Sequence, residues 1–320
     1  MSKLIVVLGA TGGQGGSVVN TFLSAPGWRG VQVVEANTDD EPSLERAFAG
    51  AHAIFAFTDY YDYFFDIGPD KSIARETAQG TNIARAAAKI PSLERFVWST
   101  LPNTELYTQG AAVVPHFQGK ANVDVFIKSK LPGLYQKTAF VVFTIFAANV
   151  LLYEIFRPVY LETAQKWIQF YPAPPETPYP SMGDHRVNTG IFVHAVVTNP
   201  PAAGSYVHCN VEDLTLAKYL AAWGRASKVS PEPESTMVVQ LSMEQYCALW
   251  PLMGEEQASQ WRFFGFLREA GVDLYNMPDF PVVRAQNLMS EEAKAALVLT
   301  EESLARMDWS FFFSAEKTRL

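Results

Sequence analysis

Short apolar runs alternate with amphipathic stretches through the first half of the chain. Leu4–Leu8 is wholly apolar and closes on Gly9, as expected of a strand buried on both faces. From about Gln14 to Ser24, Val18, Val19, Phe22 and Leu23 share one helical face, and Pro26-Gly27 ends the helix. Val31–Val34 reads as the next strand. Glu41–Phe48 reads as a helix with a proline near its first position and an acid in its first turn. Ala53–Phe57 predicts a buried strand, about Lys71–Lys89 a long helix, and Arg95–Trp98 a further strand. A helix from about Phe117 to Lys130 and a strand over Ala139–Ile145 complete the series. This alternation specifies an α/β fold with a doubly wound parallel sheet.

Beyond residue 150 the regularity fades. Tyr171–Pro180 holds five prolines in ten residues and reads as an extended loop. Asn188–Val197 predicts a helix, Ser205–Cys209 a short strand, and Leu214–Ser227 a helix entered through Glu212 and Asp213. The tail from Pro231 reads as helical and aromatic. The expected organisation is a dinucleotide-binding lobe over residues 1–150, with 186–228 returning to it. Residues 151–185 and 229–320 then form a smaller, mostly helical lobe for substrate or partner.

Composition narrows the class. Hydrophobic residues make up 48% and charged ones 18%, which fits a folded globular chain. The formal net charge is −8 and the cations do not cluster, which argues against binding a nucleic-acid backbone. Cys209 and Cys247 make no disulfide framework and have no metal-ligand spacing; they read as reduced thiols. The longest apolar stretch, Ala139–Leu152, falls short of the roughly 20 residues a bilayer span needs. The expectation is a soluble, cytoplasmic protein without membrane association.

The first candidate for chemistry is the stretch Gly9-Ala-Thr-Gly12-Gly13-Gln-Gly15, between the first strand and the first helix. Glycines let a pyrophosphate approach the backbone, and the helix N-terminus offers free N–H groups and positive dipole charge. A glycine triplet alone is a weak signal. Its place directly after a buried strand and before an apolar-faced helix is the context dinucleotide binding requires.

Four segments then occur in order: GATGGQGGSVV, ANTDDEPSLERAFAGAHAIFAFTDYYDYFFD, RFVWSTLPN and VPHFQGKANVDVFIKS. Together with the later YVHCNVEDLTLAKYLAAWG, they resemble the NmrA-like family of atypical short-chain dehydrogenases. The resemblance implies a Rossmann-like lobe with a small second lobe and a cofactor of the NADP(H) type. It leaves open an enzyme or a redox-sensing regulator.

The resemblance also implies a loss. In the family, a strand, an arginine-containing turn and a helix precede the run that Val31–Asp40 resembles, and here Pro26–Arg29 passes directly into it. The end of that missing strand is where the adenosine ribose is read, by an acid for a 2′-hydroxyl or an Arg for a 2′-phosphate. Either Val31–Val34 slides into the vacant slot beside the first strand, or it keeps its place and leaves a gap. Sheet hydrogen bonding favours the first outcome, or closure by other segments. In the first case Glu35, 20 residues after Gly15, lies near the ribose and turns the preference toward NAD(H). Arg29 could instead reach a phosphate, though a lone Arg on a loop is more often solvated.

His116 and Lys120, spaced i, i+4, share a helix face. The resemblance puts His116 in the slot of a tyrosine acid and Lys120 in that of the ribose-gripping lysine, with Ser99 and Thr100 beside the reacting carbonyl. The bland alternatives are a helix-entry histidine and a surface lysine. The candidate dinucleotide contacts are Gly9, Thr11, Gly12, Gly13, Gln14, Gly15, Glu35, Asn37, Thr58 and Lys120. The aromatic patch Tyr60–Phe65 would line an apolar pocket or pack against the second lobe. His185, His194 and His208 are scattered without metal spacing. Three functions fit: an NAD(P)-dependent reductase of a carbonyl or activated double bond on a small apolar molecule; a non-catalytic sensor acting through a regulatory protein partner; or a pocket protein that has lost its cofactor.

Overall fold

The structure is a computed structural model that describes residues 2–29, 32–229, 232–272 and 281–310. The chain divides into two compact units. The first comprises residues 1–144, 185–209 and 256–297; the second comprises 145–184, 210–255 and 298–320. The stretch 210–228, expected to return to the first lobe, belongs to the second unit, and 256–297 belongs to the first.

The first unit is built on a six-stranded sheet of β1 (Ile5–Val7), β2 (Ala53–Ala56), β3 (Arg95–Thr100), β4 (Thr138–Phe143), β5 (Tyr206–Cys209) and β6 (Val282–Arg284). The strands lie side by side in chain order and every pair is parallel. Its helices are α1 (Gly13–Ser24), α2 (Glu41–Phe48), α3 (Pro69–Ala88), α4 (Pro115–Lys130) and α5 (His185–Thr198). Helix α6 (Met253–Glu269) joins them from Glu256 onward.

Strand alternation sorts the core into two layers. Ile54, Ala56, Phe96, Trp98, Phe140, Val142 and Tyr206 pack with Leu44 and Phe48 of α2, Ile83 and Ala87 of α3, and Val123 and Ile127 of α4. The intervening Phe55, Val97, Val141 and Val207 point to the other face. There α1 and α5 pack on each other, with Val18, Phe22, Phe192 and Val196 buried. Leu23, expected on the buried face of α1, is exposed. The two helices approach closely at Gly190, where an added Cβ would collide with Thr21 Oγ1 and the Ser17 carbonyl. The Ser17 hydroxyl donates to the Val187 carbonyl at 2.9 Å and accepts from the Gly190 N–H at 2.8 Å.

The strand expected over Val31–Val34 does not form in its described part. Residues 32–36 carry no ladder, and Val33 and Val34 are 77% and 55% exposed. Among the described residues nothing replaces it as a full strand. Beyond β1 there is one isolated parallel bridge, Lys3 to Trp28, closed by Lys3 N–H to the Gly27 carbonyl and Arg29 N–H to the Lys3 carbonyl. The short linker after α1 reaches the start of β1, and Trp28 stays there because its ring packs edge-on against Phe22, centroids 4.8 Å apart. Among the described residues the slot beside Ile5–Val7 is thus bridged only at Lys3, and β1 is left half-buried as the edge strand. Neither the sliding of Val31–Val34 nor full closure by other segments, the outcomes sheet hydrogen bonding favoured, is seen among these residues.

The second unit carries two three-stranded sheets besides its helices. One orders Glu212–Thr215, Pro178–Gly183 and Ile145–Phe146; the other orders Thr236–Gln240, Lys166–Tyr171 and Val159–Leu161. The proline-rich segment is thus partly a strand rather than all loop. The adjacent strand bonds to the carbonyls of Thr177 and Ser181, so Pro178 and Pro180, of the other parity, need donate nothing there. Likewise Glu212–Thr215, read as a helix entry, is a strand, and Thr215 caps the helix Leu216–Ala226 with its hydroxyl. The tail from Pro231, read as helical, also supplies the strands Thr236–Gln240 and Val282–Arg284. No described helix is long and apolar enough to cross a membrane.

Gly190→Ala is expected to cost about 1–3 kcal/mol, because the close α1–α5 packing must open to admit the methyl group. A lowered urea midpoint with an unchanged slope checks this.

Candidate active site

The chain leaves β1 through a tight turn. Gly9 has φ +60°, and the Gly12 N–H donates to its carbonyl at 2.9 Å. Gly15 lies so close to this turn that a Cβ would collide with the Gly9 carbonyl, so helix and strand meet as closely as backbones can. Helix α1 begins at Gly13 with Gly12 as its N-cap, and no side chain caps it. Thr11 and Gly12 are exposed. Gln14 holds its side-chain oxygen buried with no hydrogen-bond partner. Uncapped first-turn N–H groups and glycines at the closest approaches fit a diphosphate, and the Gln14 amide could face one only through its NH2, after rotation about the terminal bond. On the far side of the turn His185, the first residue of α5, packs its ring against Gly13.

The ribose end is built differently. Glu35 and Asn37 are exposed, and Asn37 Oδ1 is occupied by the Asp39 N–H at 2.9 Å. Glu35 was to reach the ribose from a strand in the slot beside β1, and that strand is absent there. Arg29 donates from Nε to the Ser2 carbonyl at 3.3 Å, beside the amino end of β1, opposite the glycine turn. Ligands of open α/β sheets sit at the carboxyl ends of the strands.

The acid–base candidates lie on α4. His116, Lys120 and Asp124 follow one another at i, i+4, i+8 on its buried face, 8%, 9% and 5% exposed. Each is matched by a group from another element. Lys120 Nζ is bonded to Glu76 of α3, itself 1% exposed, and Thr58 Oγ1 donates to the same carboxylate oxygen at 2.9 Å. The other Glu76 oxygen is buried without a partner. Gly119 makes this pairing possible, since a Cβ there would strike the Glu76 side chain. His116 contacts Glu256 and Gln260 of α6: Nδ1 lies 2.5 Å from Glu256 Oε1, and Nε2 lies 3.1 Å from Gln260 Oε1.

Asp124 accepts from Trp98 Nε1 at 2.9 Å, from Thr100 Oγ1 at 2.7 Å and from the Tyr206 hydroxyl at 2.7 Å. Burial outweighs these three donors and pushes its carboxyl from 3.8 up to about 8. Ser99 and Thr100 are neighbours in β3 and so point to opposite faces of the sheet. Thr100 is held by Asp124, and Ser99 lies on the α1–α5 side.

Of the aromatic patch, Tyr60 and Phe64 are buried while Tyr63 and Phe65 are exposed. The Tyr60 hydroxyl donates to Glu256 Oε2 at 3.2 Å, and burial with that carboxylate raises its pKa. The Tyr61 ring lies 5.7 Å from the His116 ring. Among the described residues there is no cluster of metal-ligating groups. Cys209 is buried, which pushes its thiol pKa up, and Cys247 is half-buried; both are free.

Glu76, Glu256, Gln260 and Asp124 were not picked out by sequence. For Glu76 and Asp124 a signal existed. Glu76 continues the buried stripe Gly80, Ile83, Ala84 and Ala87 along α3, and Asp124 extends the His116–Lys120 spacing by one more turn. Glu256 and Gln260 are separated from His116 by 140 and 144 residues, and no spacing rule reaches that far.

Two outcomes test the buried pairs. Glu76→Ala is expected to cost about 3–5 kcal/mol by leaving Lys120 buried and unpaired, and adding Lys120→Met should recover much of the loss; a double-mutant cycle on urea midpoints measures both. The native Asp124 keeps its proton where the unfolded chain has lost it. The native state therefore binds more protons, and this group's contribution falls as pH rises from 3.8 toward about 8. Asp124→Asn should flatten that slope in urea midpoints measured across the interval.

Comparison with known proteins places these features in context. The family model described as the NmrA-like family matches residues 25–234. A curated relative, the NmrA-like family domain-containing oxidoreductase cpsB of Aspergillus campestris, is 29% identical over 144 residues. That match covers 38% of this chain and 41% of the relative, so it spans less than half of the relative's length. Among solved structures, NmrA, a negative transcriptional regulator, in complex with NAD superposes with a TM-score of 0.68 at 19% identity, covering 100% of this chain and 98% of that one. The Citrobacter sp. triphenylmethane reductase complexed with NADP(H) gives 0.64 at 14%, covering 95% and 99%. At these identities the structures establish a shared Rossmann-like fold.

Proposed function

Because the chain belongs to the NmrA-like family, we propose that it binds a nicotinamide dinucleotide, NADP(H) or NAD(H), at the Gly9–Gly15 turn and acts as an oxidoreductase. The substrate class is a small apolar molecule with a carbonyl or activated double bond. The observation that carries the reading is the uncapped N-terminus of α1, set by glycines at the end of a half-buried parallel strand. The relatives support it: one is named an oxidoreductase, and structural neighbours are complexes with NAD, NADP and NADP(H).

A bound dinucleotide supplies the hydride. The turn would hold its diphosphate through the free N–H groups of α1 and the Gln14 side chain. His116 donates the proton that a carbonyl oxygen needs once it carries the developing charge. Lys120 reaches a ribose only after its pair with Glu76 opens or is shared, which makes Glu76 part of the binding equilibrium. Among the described residues no strand carries an acid or an arginine to the adenosine ribose, so discrimination between the two cofactors should be slight.

A second reading rests on one specific feature. His116 and Lys120 are already paired with buried carboxylates, an arrangement that needs no substrate to complete it. A dinucleotide sensor acting through a partner protein requires nothing more of them.

Calorimetric titration with NADPH, NADP, NADH and NAD separates the readings. The oxidoreductase is expected to bind a reduced cofactor, with NADH and NADPH affinities within about tenfold of each other, and to turn over members of a carbonyl panel. His116→Ala should then lower kcat by roughly 10²–10⁴-fold. Binding without turnover selects the sensor, and no binding at millimolar concentration rejects both.

A further inference from the structure

The carboxylate of Glu256 is buried and fully engaged, and nothing in the chemistry above requires it. It is 3% exposed and receives three donors. The His116 backbone N–H donates to Oε1 at 3.0 Å, the imidazole Nδ1 lies 2.5 Å from the same oxygen, and the Tyr60 hydroxyl reaches Oε2 at 3.2 Å. The first of these bonds has a local cause. Helix α4 starts at Pro115 after Val114, whose side chain cannot cap it, so the first-turn N–H groups need an acceptor from elsewhere. Glu256 supplies it, and the positive end of α4 in turn stabilises the carboxylate. The residue that caps the helix also grips its first ionisable side chain.

We propose that Glu256 is the positioning residue for His116: it fixes the proton on Nδ1 and leaves Nε2 as the nitrogen that exchanges a proton with substrate. This rests on His116 being the proton donor of the reaction proposed above. A carboxylate only accepts, so Nδ1 beside it must carry hydrogen. The other nitrogen faces the Gln260 side chain, one helical turn from Glu256 on α6. An amide serves both states of Nε2, accepting from N–H through its oxygen or donating to the bare nitrogen through its NH2 after rotation. Carboxylate, imidazole and amide thus hold the ring in one orientation while its outer nitrogen gains or loses a proton. That is the base-and-orienter logic of acid–base catalysis.

The titratable groups around the ring are Glu256 from α6, Tyr60 and Tyr61 from the turn after β2, and Lys120 one turn along α4. Glu76 of α3 offsets the Lys120 charge. The carboxylate in contact with the imidazole is Glu256.

The test has one readout that needs neither cofactor nor turnover. In ¹⁵N-histidine spectra of the full chain at a pH where the ring is neutral, the resonance assigned by its loss in His116→Gln should show hydrogen on Nδ1. In Glu256→Leu it should move to the Nε2–H form. Should Glu256→Leu fail to fold, Glu256→Gln keeps the helix cap and removes the charge. In that variant the alkaline limb of the kcat–pH profile should move to lower pH, and kcat near neutrality should fall roughly tenfold. Its KM and dinucleotide affinity should change less than about twofold. An Nε2–H signal in the wild type, or a profile unmoved in Glu256→Gln, overturns the inference. A wild type that shows the Nδ1–H signal yet binds no dinucleotide overturns the reductase reading instead.

Discussion

A helix that buries three ionisable side chains on one face has to be met by counter-groups, and α4 organises the first unit on that condition. An unpaired buried charge is worth several kcal/mol against folding. His116, Lys120 and Asp124 therefore dictate what surrounds them. Lys120 draws Glu76 of α3, across the close approach that Gly119 permits. Asp124 draws Trp98 and Thr100 of β3 and Tyr206 of β5. His116 draws Glu256 and Gln260 of α6. Four elements are tied to one helix by polar contacts that leave little freedom of register. The same contacts bring the candidate acid, its orienting carboxylate and the candidate ribose lysine into one buried row.

The sheet is shaped by a different constraint. Six parallel strands run in chain order from β1 to β6, with a helix layer on each face. The point where a doubly wound sheet reverses direction is usually flanked by strands on both sides, and ligands enter there. Here one side is a single bridge from Lys3 to Trp28. The glycine turn at the end of β1 keeps its geometry because it depends on β1, β2 and α1, all of which are present. Adenosine recognition depends on the strand that is not. In a complete sheet the turn after the first strand and the end of the neighbouring strand serve one dinucleotide together. Among its described residues this chain has the turn without that strand.

Much of the scaffold was legible in advance. Parallel strands announce themselves as apolar runs, and β1 to β5 fall at or within a residue or two of the positions those runs mark. Strand β1, expected to be buried on both faces, is only half-buried because its outer edge has no neighbouring strand among the described residues. The glycines of 9–15 were readable for the same reason: few other residues tolerate a positive φ or a helix packed onto a carbonyl. Val31–Val34 misled because a β-branched run encodes a tendency, and a strand forms only where a neighbour offers hydrogen bonds. The prolines at 178 and 180 misled in the opposite sense, since a strand tolerates them when their missing N–H faces away from the paired neighbour.

The sequence by itself determined the α/β class, the glycine turn after the first strand and the shared face of His116 and Lys120, because each follows from short-range periodicity or from what a single backbone position allows. Only the tertiary structure decided that this face is buried, that Glu76 and Glu256 neutralise it, and that Thr100 is occupied by Asp124 while Ser99 faces away. Those facts concern groups brought together from as far as 140 residues apart. Whether a charge can be buried depends on what stands opposite it, and no local pattern carries that information.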